Sequence, residues 1–420
     1  MYLSGSKWNT RKKQRRIHPW RVGLLVLLIG AAVYVERVLV PGVPPLFLPT
    51  VTATRSPATY VLEGESLFQA GKLEQAEASY QQAIEIDPQE PAFYIALARV
   101  QVFGGKAQEA ETNARNALLV DPASSAARAV LGWALDFQGA DYLVEAQEEL
   151  ERSLSADPNS ALAHAYLAEI LIDQYNSLDS GDYQTALQEA QTAVSLDANS
   201  LEAQRALGYV WESTGNYEEA LRAYERALSL HPNLWLLHQA MGNMYVNQDP
   251  PDLEKAVQSY LNANALSPTN PEPLQFIAKA YSRFGEYGKA TQYAADAMAL
   301  DPANPRLHGE LGVLYYQNAE YDHAIDELNL AVRGGQTPDG VAVRGVPLDP
   351  ASPTIVGFYY TLGLALAKSD RCDEATPIFD ALLRGVPDDE IAVANATEGL
   401  VICGEVEPTS TPRPSTSTSS

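Results

Sequence analysis

A small residue returns along this chain at Gly64, Ala98, Gly132, Ala168, Gly208, Gly242, Ala278, Gly312 and Gly363. The successive spacings are 34, 34, 36, 40, 34, 36, 34 and 51 residues. An alanine follows each of them, at Ala76, Ala110, Ala146, Ala186, Ala220, Ala256, Ala290, Ala324 and Ala375. Self-similarity at such a period points to a stack of small units, none of which buries its apolar face alone. The small side chains mark where the two helices of a unit touch. Gly71, Gly105, Gly215 and Gly285 fall where the first helix turns into the second, a place that favours a left-handed backbone. Units close on Asp87-Pro88, Asp121-Pro122, Asp157-Pro158 and Asp301-Pro302. There Asp caps free amides and Pro stops the helix.

A third series supports the register: Ala83, Ala117, Ala193, Ala227, Ala263, Ala297 and Ala331, with Ser153 and Leu382 as departures. The closing proline also recurs at Pro232, Pro268 and Pro387, and Ala198 departs from it. With Leu97-Ala98, Leu131-Gly132, Leu167-Ala168, Leu207-Gly208, Leu311-Gly312 and Leu362-Gly363, the chain resembles the tetratricopeptide repeat family over roughly residues 57–403. The resemblance implies an all-α, right-handed α-solenoid of about nine helix-turn-helix units, near 57–90, 91–124, 125–160, 161–200, 201–234, 235–270, 271–304, 305–335 and 354–389. A cap helix over 390–403 is expected to cover the last apolar face.

Departures from period 34 place extra residues in the intra-repeat turns of units three, four and six. Residues 333–352 are dense in Gly and Pro and read as a long loop or short hairpin, either a tolerated insertion or a partner-binding loop. Cys372 opens the second helix of unit nine and Cys403 ends the cap helix. Alternating helix directions bring those two positions side by side, so a Cys372–Cys403 disulfide is expected, with two independent buried thiols as the alternative.

The ends of the chain differ from the array. Residues 1–40 carry a net +7, while the whole chain carries −24, leaving −31 on the remainder. A body that acidic repels phosphate backbones, which argues against nucleic acid as its partner. Val22 to Val35 is uncharged behind a basic flank at 1–21. Residues 22–40 are expected to form an N-terminal transmembrane helix, a signal-anchor with the N-terminus cytoplasmic and the body outside the cytoplasmic membrane. A cleaved signal peptide and a buried helix are the alternatives. Residues 41–58 read as a Pro/Thr-rich linker, and 404–420 as a disordered Ser/Thr/Pro tail.

No phosphate loop, nucleophile elbow or zinc-binding H-E-x-x-H motif is present, so neither a cofactor nor a metal nor a small-molecule substrate is indicated and no enzymatic role is expected. His164, His238 and His308 recur in register, but one repeat apart they are too distant to share an ion and read as packing residues. Function then rests on surfaces. The resemblance implies that the concave face is lined by first-helix positions that in units five to seven are Arg205, Tyr209, Gln239, Asn243, Asn247, Gln275, Lys279 and Arg283. Asn, Lys and Arg in such places suit a peptide or protein ligand, with ordinary solvated positions as the alternative. The expected role is a scaffold for envelope complex assembly or chaperoning. The alternatives are an accessory subunit or regulator of a membrane enzyme or secretion system, and an array that faces the cytoplasm.

Overall fold

The computed structural model describes residues 19–35, 37, 55–178 and 182–407, and the chain divides into two units, Met1–Arg55 and Ser56–Ser420. The first contains α1 (Pro19–Tyr34), whose 16 residues span about 24 Å, short of the roughly 30 Å of a bilayer core. No helix among the described residues is long and apolar enough to cross a membrane. Most of the basic segment, the end of the 22–40 stretch, most of the linker and most of the tail lie outside the described residues.

The second unit is a run of antiparallel helix pairs. They are α2 (Pro57–Gln69) with α3 (Leu73–Ile86), α4 (Pro91–Phe103) with α5 (Ala107–Val120), and α6 (Ser125–Asp136) with α7 (Leu143–Ala156). Next come α8 (Ala161–Leu178) with α9 (Tyr183–Leu196), α10 (Leu201–Ser213) with α11 (Tyr217–Leu230), and α12 (Trp235–Asn247) with α13 (Leu253–Leu266). The last are α14 (Glu272–Arg283) with α15 (Tyr287–Leu300), α16 (Pro305–Gln317) with α17 (Tyr321–Arg333), and α18 (Pro353–Lys368) with α19 (Cys372–Gly385). α20 (Glu390–Ile402) packs on α18 and α19 as the cap.

Packing explains the repeat letter by letter. A Cβ placed on Gly208 would lie 2.8 Å from Tyr224, one on Gly242 2.4 Å from Tyr260, and one on Gly363 2.4 Å from Phe379. The ring four residues after the second-helix alanine therefore lies directly on the small residue of the first helix. Leu150 and Leu328 press on Gly132 and Gly312 in the same way. All nine second-helix alanines are fully buried, and so are Ser153 and Leu382, which replace alanine in the third series. Ser153 meets its burial by donating to the Ser125 carbonyl at 2.8 Å, because an orphaned hydroxyl there would cost about 1–3 kcal/mol.

The intra-repeat turn is left-handed in most units, with φ of +73° at Gly71 and Gly105, and Ala319 and Asp370 adopt it in units eight and nine. Capping follows the sequence as well: Asp87, Asp121, Asp157 and Asp197 each accept from the amide two residues on, at 2.9–3.2 Å. The lengthened turn of unit three coils into a 3₁₀ turn at Ala140–Tyr142, and α8 runs to 18 residues in unit four.

The insertion before unit nine is an ordered hairpin. Strands β1 (Gly335–Gln336) and β2 (Ala342–Val343) pair antiparallel, Val343 is buried, and the Tyr359 hydroxyl donates to the Val346 carbonyl at 2.9 Å. Leu348 packs into the core of the last units. At the end of the array Cys372 and Cys403 are joined, S–S 2.04 Å, tying the start of α19 to the end of α20.

Candidate protein-binding surface

The inner faces of the first five units do not enclose an open channel. A column of rings fills the space: Tyr166 stacks on Trp133 at 4.4 Å, Trp133 meets Phe103 at 5.0 Å, and Phe103 meets Phe68 at 5.3 Å. Phe68 then meets His231 at 5.2 Å, at the end of unit five. The turn closes on itself there, since the Asn233 side chain donates to the Gln69 carbonyl at 3.0 Å across 164 residues of chain.

Polar groups are locked into the same space. Arg99 lies over Phe68 and donates to Glu202 at 2.9 Å, 103 residues away. Arg205 lies 4.8 Å over Trp133 and pairs with Glu169, which also accepts from the Trp133 indole at 3.1 Å. Tyr209 donates to Asp173. Burial pulls the Glu202 carboxyl upward, but the Arg99 guanidinium outweighs it and holds that group below the ordinary range. Glu169 is pushed up to about 7, chiefly by burial.

Two glycines isolate the closing contact. Gly71 and Gly105 share a φ of +73°, but a Cβ on Gly71 would lie 2.2 Å from the Asn233 carbonyl oxygen, whereas one on Gly105 meets nothing within 4 Å. Gly105→Ala is expected to cost about 1 kcal/mol, the left-handed strain alone. Gly71→Ala should cost about 1–3 kcal/mol more through overpacking. Equal urea midpoints for the two variants would show that the turn is not closed in solution.

The eight first-helix positions of units five to seven consequently separate into two groups. Arg205 and Tyr209 are not part of an open groove; both are committed to carboxylates inside the filled turn, with the Arg205 side chain 13% exposed. Gln239 is half-buried, and Asn243 accepts from the Tyr260 hydroxyl at 2.8 Å. Asn247, Lys279 and Arg283 are exposed; Arg283 donates to Asn247 at 2.8 Å, and Lys279 stands 3.3 Å from Glu310. Gln275 donates to the other Glu310 oxygen at 2.7 Å.

Gln275, Lys279 and Arg283 line a cleft of about 470 Å³ across α14, α16 and α18. Its opposite wall is apolar, built by Leu314, Phe358 and Tyr360, so the cleft pairs a polar rim with a greasy side. Glu310 and Gln317, which also line it, do not figure among the sequence-based expectations. Both stand 35 residues after partners that they bond, Gln275 and Ser282, so the repeat register itself was the available signal. A second cleft, about 880 Å³, lies between the early turns at Gly71–Lys72 and Gly104–Lys106 and the start of α12 at Trp235, with Phe103 in its lining.

The in-register histidines form a structural device. His164, His238 and His308 each place Nε2 3.0 Å from the carbonyl of the proline six residues earlier. Tyr94, Arg128 and Gln204 make the equivalent contact in their units. The fourth position of a first helix thus ties the inter-repeat turn, satisfying a carbonyl that proline leaves outside the helix ladder. Burial alone would lower the His308 pKa, but Glu327 and the Pro302 carbonyl raise it above the ordinary value.

Three family models match the chain: one described as TPR repeat over residues 64–102, and two described as tetratricopeptide repeat over 175–234 and 283–343. Among curated proteins, anaphase-promoting complex subunit 6 of Arabidopsis thaliana is 33% identical over 84 residues, 20% of this chain and 15% of the relative. Superkiller protein 3 of Schizosaccharomyces pombe is 26% identical over 211 residues, 48% of this chain and 14% of the relative. The chain therefore spans only about one-seventh of the length of these relatives. A thermophilic TPR protein of Thermus thermophilus is similar at 23% identity with a TM-score of 0.37, covering 45% of this chain and 98% of its own. Helix pairs of this geometry, matched by repeat models at three places along the array, support the tetratricopeptide repeat family for this chain.

Proposed function

We propose that the chain is a non-catalytic protein–protein interaction scaffold that works through the cleft on α14, α16 and α18. The observation that carries this reading is the contrast between two inner faces. The first turn is filled by its own rings and ion pairs, whereas the later units leave about 470 Å³ open between a polar rim and an apolar wall. A partner segment laid there would bury its apolar side chains on Leu314, Phe358 and Tyr360 and meet Lys279 and Arg283 at the rim. The name of one relative, a complex subunit, agrees with a role in assemblies.

The same proposal places the scaffold at a membrane. Residues 22–40 would anchor it, with the basic 1–21 segment cytoplasmic and the array outside, where it would serve envelope complex assembly or chaperoning. Protease accessibility of the body in intact and lysed spheroplasts tests that orientation. For the cleft, the double variant Lys279→Ala/Arg283→Ala is compared with Arg222→Ala on an outer helix face by crosslinking and quantitative pull-down. The double variant should lose roughly tenfold or more of partner recovery, about 1.4 kcal/mol, at unchanged helicity. Equal recovery by both would rule the cleft out as the working surface.

A further inference from the structure

The filled turn contains more carboxyl groups than cations. Asp136 on α6, Glu169 and Asp173 on α8 and Glu202 on α10 share the space with only two guanidiniums, Arg99 of α4 and Arg205 of α10. Glu202 is neutralised by Arg99 and Glu169 faces Arg205. Burial, and then the neighbouring Asp173 and Glu169 carboxylates, raise the Asp136 carboxyl well above the ordinary range, and burial raises Asp173 as well, so this pair of acids favours holding a proton. Four polar atoms here are buried with no partner among the described residues: Asp136 Oδ1, Glu169 Oε1, Tyr166 OH and Arg205 Nε. Burying charges this way costs several kcal/mol per uncompensated ion. The fold therefore keeps the space electrically balanced by holding protons.

Among the described residues, the surroundings supply no further lysine or arginine charge to these carboxyls. α2 contributes half-exposed Glu65, which accepts from Tyr80 and faces Arg99. α8, α10 and α11 contribute the Tyr166, Tyr209 and Tyr224 hydroxyls, and Tyr224 donates to Glu212 at 2.6 Å. Burial lowers the pKa of His231, which lies over Phe68.

We propose that the first turn is a proton-operated latch, in which the carboxyl groups of Glu169 and the Asp136–Asp173 pair hold the turn shut while protonated. When Glu169 gives its proton to water, Arg205 remains beside it, but the carboxylate charges in the enclosed space then outnumber the two guanidiniums. The strain is relieved where the turn meets itself, by parting of Gln69–Gly71 from Asn233 and of Phe68 from His231. This regulation rests on the filled turn alone and is independent of the cleft on the later units.

The direction follows from linkage. Glu169 titrates near 7 in the closed turn and near 4.5 once released to solvent. The closed form therefore binds the extra proton between those values, and closure weakens as pH rises from about 5 to about 7.5, tenfold for each unit in which that proton is differentially held. The test is amide hydrogen exchange in the full chain, corrected for intrinsic rate, at the end of α2 and at residues 233–237. Between pH 5.5 and 7.5 protection there should fall at least about tenfold, while α16 and α17 stay unchanged. Glu169→Gln, neutral at every pH, should keep protection high at both. The idea is overturned by a pH-independent wild type, or by a Glu169→Gln variant that shows the same fall. Should that variant not fold, carboxyl-carbon NMR of the wild type decides: the Glu169 resonance, assigned separately from that of Glu212, which burial also pushes up to about 7, must titrate near 7 together with the Asn233 side-chain amide, and its absence overturns the latch.

Discussion

Arg205→Ala is expected to destabilise the chain by about 3–5 kcal/mol at pH 8, the range for removing one partner of a buried ion pair. The side chain is 13% exposed, and Glu169, with which it pairs, is 2% exposed. Truncation would leave Glu169 charged in the filled turn and strip Trp133 of the guanidinium lying 4.8 Å above it. The penalty carries a pH signature that a simple packing loss lacks. Glu169, already pushed up to about 7, takes a proton more readily without its cation, so the loss should shrink markedly at pH 5.5. Urea denaturation at the two pH values checks this. Arg222→Ala, which removes exposed pairs to Glu218 and Glu219, serves as control and should leave the midpoint unmoved at both. A penalty of the same size at pH 5.5 and pH 8 would mean that the filled turn is held by packing, with charge playing no part.

Loss of the Cys372–Cys403 bond should be nearly as costly. The two residues are 31 apart in sequence, and closing a loop of that length removes about 3–4 kcal/mol of denatured-state entropy in the chain-entropy account. The bond holds α20 against an apolar end: Ala392, Ala396, Gly399 and Leu400 are buried there, and Gly399 lies so close to Phe379 that a Cβ would come within 2.0 Å of the ring. Cys403→Ser, or reduction of the wild type, should lower the unfolding midpoint. It should also make the segment after α19 the first site of limited proteolysis, since an uncovered terminal repeat exposes Phe379 and Leu362. Matching midpoints with and without reductant would show that α20 docks without help.

The helix pairs and their order were legible because the repeat is a local code read nine times. Gly208 with Tyr224, or Gly242 with Tyr260, records one contact between helices a few residues apart in sequence, and such contacts recur at an offset of 16 residues, or 18 where the turn is lengthened. The scaffold class followed from the same letters. The choice of interaction surface was less legible. Arg205, shortly before Gly208, and Lys279, directly after Ala278, both belong to the inner-face positions of their first helices, and both look like rim cations. One is spent inside a closed turn; the other stands exposed beside an open cleft. Both positions lie on the inner face, and no single repeat says whether neighbouring units close over it.

What the sequence by itself determined, then, is the unit: two helices, the small residues between them, the left-handed turn at Gly71 and its counterparts, and the caps at Asp87 and Asp121. These depend on neighbours within about forty residues, where periodicity carries the information. Tertiary structure alone decided how far each unit rotates on the last. Small rotations accumulate over five units until Phe68 meets His231 and Asn233 meets Gln69, contacts spanning more than 160 residues. That accumulated curvature closes the first turn over Arg99, Glu169 and Arg205 and leaves the later one open. No spacing within the repeat encodes it, because it arises from the sum of many inter-repeat packings, each differing slightly from the next.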